Sequence, residues 1–376
     1  MIVPFLDLKR QHQEIAEEIR EAITRVIESG AYILGQEVET FERKWAHFCG
    51  VKAAAGTASG TDALTLALLA SGAVRPNAQD EVITSTLTAA YTALAILNAG
   101  AVPVFADIDP QTFTIDPDGI EKAITPRTRA ILPVHLYGQM AEMKAIGELA
   151  SSYRLSVIED AAQSHGAYLP QMSVSEHSVA AAYSFYPTKN LGAVGDGGAV
   201  VSNDAGLIER VKILRQGGNV KALQKSLAGR NSRLDEIQAA ILCVKLKYLK
   251  KWNSQRRHLA QLYQERLWRC QRLILPDAHG SPESHSYHLY VIQHLERKRL
   301  RNHLAKLGID TMIHYPYLLH QQALFQRGEQ LSLPVAENVA GKILSLPLYP
   351  QLSAQEVGAV CDAIMEFEVE GFSDAF

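Results

Sequence analysis

Residues 129–160 read RAILPVHLYGQMAEMKAIGELASSYRLSVIED, and their layout decides the fold class. Two Val- and Ile-rich runs, RAILPVHLYG at 129–138 and LSVIED at 155–160, read as strands. MKAIGELASSY at 143–153 reads as a helix between them. A strand that returns through a helix lies parallel to its predecessor. Upstream the same alternation holds. TDALTLALLASG (61–72) is a helix, DEVITSTL (80–87) a strand, AAYTALAILNAG (89–100) a helix with a glycine stop, and VPVFADID (102–109) a strand. The pattern predicts an α/β protein with a parallel or mostly parallel sheet covered on both faces.

Outside this section the character changes. Ile15, Ile19, Ile23, Val26 and Ile27 predict an amphipathic helix over about 10–29. Leu234, Ile237, Ile241, Val244 and Tyr248 open a long helical stretch running to about Trp268, either unbroken or with a break. SYHLYVIQH (286–294) reads as a strand, RKRLRNHLAKLG (297–308) as a helix, and SAQEVGAVCDAIMEFEVEGF (353–372) as a closing helix. Residues 1–250 are therefore expected to form a large domain and 251–376 a smaller C-terminal α/β domain.

With 37 basic and 40 acidic residues the net charge is −3, so the chain carries no electrostatic footprint for nucleic acid or an anionic membrane. No apolar run approaches membrane-spanning length, and the first residues turn polar too early for a signal peptide. Cys49, Cys243, Cys270 and Cys361 are scattered without metal-ligand spacing, which predicts buried reduced thiols and a cytoplasmic setting.

Three loops at the carboxyl ends of strands, where open α/β sheets bind ligands, carry chemistry. In GTASGTDAL (56–64), Ser59, Gly60 and Thr61 precede an apolar helix. Free N–H groups there suit a phosphate, although Ser-Gly-Thr is also a common cap. In VIEDAAQSHGA (157–167), Glu159 and Asp160 end a strand, so one carboxylate is a candidate for chemistry and a capping aspartate the alternative. Gln163 follows, and His165 reads as a neutral core histidine. In SFYPTKNLGAVGDGGAV (184–200), Lys189 enters a glycine-rich turn. The glycines lead into a strand, against a dinucleotide fingerprint, and the lysine precedes them, against a P-loop. One lysine, one strand-end aspartate and one phosphate cradle belong together in a site for pyridoxal phosphate. There lysine forms a Schiff base with the aldehyde, and an acidic residue pairs with the pyridinium nitrogen. The lysine, once released, carries a proton between carbons.

At this point the chain resembles the DegT/DnrJ/StrS sugar-nucleotide aminotransferases of the aspartate aminotransferase superfamily. PFLDLKRQ, SGAYILGQEVETFE, SGTDALTLAL, PVHLYGQ, VIEDAAQSHGA, SFYPTKNLGAVGDGGAVV, GRNSRLDEIQAAIL, MIHYPYLLHQQ and LSLPLYP carry the resemblance from end to end. It implies the fold type I architecture, with a mostly parallel seven-stranded sheet. It implies Lys189 as Schiff-base lysine, Asp160 as pyridinium partner, Gln163 near the ring hydroxyl, and Ser184, Gly60 and Thr61 as phosphate ligands. It further implies that Asn231 reaches the cofactor of a neighbouring subunit in a homodimer with shared sites, and that His314 and Tyr315 line the sugar-nucleotide site.

The substrates so implied are L-glutamate and a nucleotide-linked keto sugar. The wording NLGA followed by GDGG resembles relatives that aminate at C3. Two departures stand out: TAAYT (88–92) replaces the usual TFxAT, putting Ala89 where an aromatic stacks on the ring. YLPQMSVSEHSVAAAY (168–183) also lacks the usual Gly-Lys-rich hairpin. A sugar dehydratase of this family, which carries histidine in place of the lysine, and a non-catalytic cofactor-binding regulator are the competing readings.

Overall fold

Alternating side chains along short apolar strands build the centre of the molecule. The computed structural model describes residues 2–167, 175–218, 229–276, 284–326 and 331–373. Seven strands form one sheet: β1 (Ala53–Thr57), β2 (Glu81–Ser85), β3 (Val102–Ala106), β4 (Thr128–Leu132), β5 (Ser156–Asp160), β6 (Ala180–Ser184) and β7 (Gly198–Ser202). Their order is β1-β7-β6-β5-β4-β2-β3. Strand β7 is antiparallel to β1 and β6, and every other neighbouring pair is parallel.

Both faces are buried, as a parallel sheet requires. Leu132, Ile158, Ala182 and Val200 join one core with the helices Gly60–Ser71, Ala90–Asn98 and Ala205–Leu214. Their neighbours on the strands face the other way: Ile131 and Val157 pack toward helix Met143–Tyr153, Tyr183 and Val201 toward helix Gln36–Cys49. The period of two along each strand separates the two layers.

A second, antiparallel sheet holds β8 (Leu273–Ile274), β9 (Tyr290–His294) and β10 (Ile343–Leu346) in the order β10-β9-β8. Its core draws on helices Leu249–Leu267, Arg297–Lys306 and Ala354–Ser373. The N-terminal strand residue Val3 pairs with Ile309 and joins that core.

At three places the structure corrects the sequence expectation or decides between its alternatives. The helix expected over 10–29 is two helices, Leu8–Glu14 and Ala16–Ser29. Ile15 leaves helical geometry to bury its side chain against Val26, Val244 and Trp252. The long stretch to Trp268 breaks at Lys247–Tyr248 into Glu236–Leu246 and Leu249–Leu267. RAILPVHLYG ends as regular strand at Leu132, where Pro133 lacks the N–H for a further ladder bond; Val134 keeps a single bridge to Asp160. Residues 168–174 of the departing segment, and 221–228 before Asn231, lie outside the described residues. Cys49, Cys243 and Cys361 are buried and Cys270 half-buried, all as free thiols. Among the described residues no helix is long and apolar enough to cross a membrane, and no cluster of His, Cys, Asp and Glu could hold a metal.

Candidate active site

Every loop that sequence reasoning singled out leaves the same edge of the large sheet. Asp160 ends β5 and Ser184 ends β6, while β1 runs into Gly60 and β2 into Thr86–Thr92. Because β7 is reversed, its first residue, Gly198, lies at this edge too. A Cβ there would stand 2.3 Å from Ser59 O, so only glycine lets the two loops meet. Gly60 is equally constrained, since a Cβ on it would come within 2.6 Å of Ser184 Cβ. Ser59 caps the helix by accepting from Asp62 N at 3.1 Å. The N–H groups of Gly60 and Thr61 have no acceptor among the described residues, and Ser184 stands beside them.

Asp160 is buried. Its Oδ2 accepts from Thr92 Oγ1 at 2.8 Å and its Oδ1 from Ala162 N at 3.1 Å. Thr88 Oγ1 lies 3.1 Å from Thr92 Oγ1, extending the chain of hydroxyls. Burial raises the Asp160 pKa, opposed by the Thr92 and Ala162 bonds and by Lys189 and His135. The neighbouring carboxylate points to the other side of β5. Glu159 pairs with His135 Nε2 at 2.7 Å and accepts from Ser175 N at 2.8 Å. Of the two strand-end carboxylates, Asp160 is the one on the site's side.

Lys189 keeps partial exposure at the mouth of the site, yet burial pushes its pKa down to about 8, with Asp160 opposing that shift. Its Nζ has no hydrogen-bond partner among the described residues. The next residue, Asn190, is buried and tightly held: its Nδ2 donates to Asn253 Oδ1 and to Ser286 O, each at 2.9 Å, and its Oδ1 lies 3.1 Å from His288 Nδ1.

Gln163 Oε1 accepts from Tyr137 N at 2.8 Å, and its Nε2 donates to the Tyr315 hydroxyl at 3.0 Å. The Tyr137 hydroxyl in turn donates to His314 O. Burial, and then the charge of Asp160, raise the Tyr315 pKa, and burial followed by Lys189 lowers that of His314 to about 4. His165 packs at tilted and edge-on angles among Trp45, Phe185 and Tyr183; burial first, then Lys189, hold it neutral with a pKa of about 3, and its Nε2 has no partner among the described residues.

The geometry brings Gly60, Thr61 and Ser184 together, joins Gln163 to Tyr315 and His314, and couples Asp160 to Lys189. It does not bring Asn231 into the site of its own chain. Asn231 is exposed, whereas the adjacent Ser232 is buried and accepts from Ala58 N at 3.1 Å. Ala89 precedes helix Ala90–Asn98, and Tyr91 is 66% exposed. Sequence reasoning missed Thr88 and Thr92. Their four-residue spacing at a helix start, which sets both hydroxyls on one face, was the available signal.

The sequence profile of the DegT/DnrJ/EryC1/StrS aminotransferase family matches residues 13–365. The chain belongs to that family. It is 44% identical to the dTDP-3-amino-3,4,6-trideoxy-alpha-D-glucose transaminase of Streptomyces venezuelae, over 97% of this chain and 96% of that one. It is also 44% identical to the dTDP-3-amino-3,6-dideoxy-alpha-D-galactopyranose transaminase of Aneurinibacillus thermoaerophilus, over 97% and 99%. A Geobacillus stearothermophilus relative named pleiotropic regulatory protein is 43% identical over 98% and 99%. Among family structures, that of S. venezuelae DesV in complex with a ketimine intermediate superposes with a TM-score of 0.92, at 44% identity and 98% coverage of both chains. Bacillus subtilis NtdA with bound cofactor PMP gives 0.90, at 34% identity, covering 98% of this chain and 85% of that one.

Proposed function

We propose that this protein is a pyridoxal-phosphate-dependent aminotransferase that moves nitrogen from L-glutamate to C3 of a keto hexose carried by a nucleoside diphosphate. The observation that carries the reading is Lys189, a lysine without a hydrogen-bond partner among the described residues and coupled to the buried carboxylate of Asp160. The residues fit the cofactor. The amides of Gly60 and Thr61 beside the Ser184 hydroxyl form a cradle for its phosphate at a helix N-terminus. Asp160 would pair with the ring nitrogen, and Gln163, with its amide fixed between Tyr137 and Tyr315, would serve the ring hydroxyl.

When bound, pyridoxal phosphate supplies an electron sink that makes a Cα–H bond of the amino donor acidic. Lys189 Nζ, its pKa lowered to about 8, is able to take that proton in the half-reaction with glutamate and, in the separate half-reaction with the sugar, to deliver a proton to C3 near neutral pH. Asp160 would hold a proton on the ring nitrogen, and the Thr92 hydroxyl, donating to the carboxylate, opposes the rise in pKa that burial imposes. His314 and Tyr315 bound the substrate side. Overall, glutamate and the sugar ketone become 2-oxoglutarate and the 3-amino sugar, so oxidation of one carbon balances reduction of the other.

Position C3 is supported by the names of the S. venezuelae and A. thermoaerophilus relatives, which also favour thymidine diphosphate over uridine diphosphate as carrier. In this reading residues 1–250 bind the cofactor, residues 251–376 form the smaller domain, and a cytoplasmic homodimer completes each site with Asn231 of the partner subunit. The G. stearothermophilus name favours a regulator as second reading. A regulator needs neither Lys189 nor the Thr92–Asp160 bond, and a dehydratase would carry histidine at 189. Adding glutamate to the yellow protein separates the three: an aminotransferase bleaches and releases 2-oxoglutarate, whereas the others retain their absorbance. Thymidine-diphosphate-linked 3-keto and 4-keto 6-deoxyhexoses, with nitrogen located by NMR, then test the position. Efficient amination of the 4-keto compound alone overturns C3.

A further inference from the structure

Lys245 has no contact with water: it is 0% exposed near the end of helix Glu236–Leu246. Its Nζ donates to Gly192 O at 2.7 Å and lies 3.1 Å from His12 Nε2. No carboxylate pairs with it among the described residues. Burial lowers its pKa to about 8, and burial followed by Lys245 lowers that of His12, so the imidazole accepts from the ammonium. An apolar side chain of the same length would avoid that desolvation, so the lysine calls for an explanation beyond packing.

Gly192 supplies it. A Cβ at this position would stand 2.4 Å from Pro187 O, so the backbone folds back onto the turn that presents Lys189. Within that turn Lys189 N donates to Tyr186 O at 2.9 Å, and Ala193 N to Phe185 O at 2.8 Å. Asn190 is fixed on the other side by Asn253 and Ser286. Lys189 thus hangs between two held points, Asn190 and Gly192, and Lys245 grips the second.

We propose that Lys245, with His12 as its second partner, is a positioning residue for Lys189: its hold on the Gly192 carbonyl fixes the turn and hence the direction of the Lys189 amine. The inference rests on Lys189 being the reacting amine. The pair also ties the N-terminal helix Leu8–Glu14 to the active-site turn.

The test is K245M in the full chain, which keeps the length of the side chain and removes the charge. The variant is expected to fold with an unchanged or higher Tm, to lose about tenfold or more in kcat at constant sugar KM, and to regain part of that loss as K245R. The deciding readout is independent of turnover. In the cofactor-free protein, the rate at which acetic anhydride labels Lys189 is followed by mass spectrometry across pH. Loosening the turn hydrates the amine and moves the midpoint of labelling upward. A midpoint equal to that of the wild type overturns the proposal. Should K245M fail to fold, the same midpoint in H12F decides, because that variant takes away only the second partner. Activity retained by K189A would instead remove the reading of Lys189 itself, an outcome the labelling experiment does not depend on.

Discussion

Thr92 donates its hydroxyl proton to Asp160 Oδ2 at 2.8 Å, from the first turn of a helix to the last residue of a strand 68 positions later. The bond opposes the burial that raises the Asp160 pKa. Replacing Thr92 with Val keeps the shape and deletes the donor, so the pKa rises further. Activity that depends on ionised Asp160 then begins at higher pH. The expected result for T92V is an acid limb of kcat/KM displaced upward and a loss of roughly 10- to 100-fold at neutral pH, the scale of the roughly 1.5–3 kcal/mol typical of a hydrogen bond to a charged group. A pH profile that superimposes on that of the wild type refutes the assignment.

Asp160→Asn is a sharper probe of the same carboxylate. Asparagine is nearly isosteric: its Oδ1 is able to keep the bond from Ala162 N while its Nδ2 donates to Thr92 Oγ1, reversing that bond, so the fold remains. What goes is the negative charge that keeps a proton on the ring nitrogen. Turnover is expected to fall by about 100-fold or more, the scale of a positioned acid–base group, with cofactor still bound. A rate within a factor of two, about 0.4 kcal/mol, excludes this role for Asp160.

The reach of the sequence can be judged from these residues. Strands β2 to β5 and the helices at 90–98 and 143–153 were legible because valine, isoleucine and leucine mark both periods, whereas the short helix Pro117–Ala123 was not, having one buried apolar residue, Ile120. Strand β6 was not: four of the five side chains of AAAYS are small, and its alanines are buried by the helices on the two faces of the sheet, Ala180 and Ala182 on one side and Ala181 on the other. The reversal of β7 was equally hidden, since direction depends on the connection, not on the strand. Lys189, Asp160 and Gln163 could be found because their chemistry is rare at strand ends. Thr92 escaped because TAAYT was read for its missing aromatic. Lys245 escaped because a lysine on an otherwise apolar helix reads as solvated until its partners are seen. Glu236 is a similar case, with a carboxylate that accepts from Gly35 N, Glu37 N and Val38 N at the start of a helix two hundred residues earlier.

Stability should fall in acid through buried histidines. Burial lowers His165 and His285 to a pKa of about 3, while an unfolded chain titrates near 6.5. Between these values the unfolded state binds more protons, so stability is complete above about 6.5 and is lost as the pH falls toward 3. On this arithmetic each histidine costs up to about 2 kcal/mol between pH 7 and pH 5. Urea unfolding at the two pH values measures the loss. H285N, whose Oδ1 is able to replace Nδ1 as acceptor for Tyr287 N, should flatten the dependence. An unaltered slope in that variant rules out His285 as a contributor.

Asn231 gives the last prediction. It is exposed while its neighbours are tied to either side of Gly60: Ser232 accepts from Ala58 N in the loop before it, and Arg230 stands 3.7 Å from Asp62 in the first helical turn after it. The proposed homodimer assigns this exposed amide to the site of a second copy of the chain, and the plain alternative is a helix approach with a surface asparagine. In the shared-site reading, K189A is inactive because its own amine is missing, and N231D because a carboxylate repels the phosphate held by the partner subunit. A mixed dimer of the two then has one site lacking both groups and one site complete. Random exchange should restore roughly a quarter of wild-type activity, from one intact site in half of the dimers. Light scattering and mass spectrometry of differently tagged subunits establish that exchange has occurred. Full activity of N231D alone, or no recovery after demonstrated exchange, would show that each subunit completes its own site.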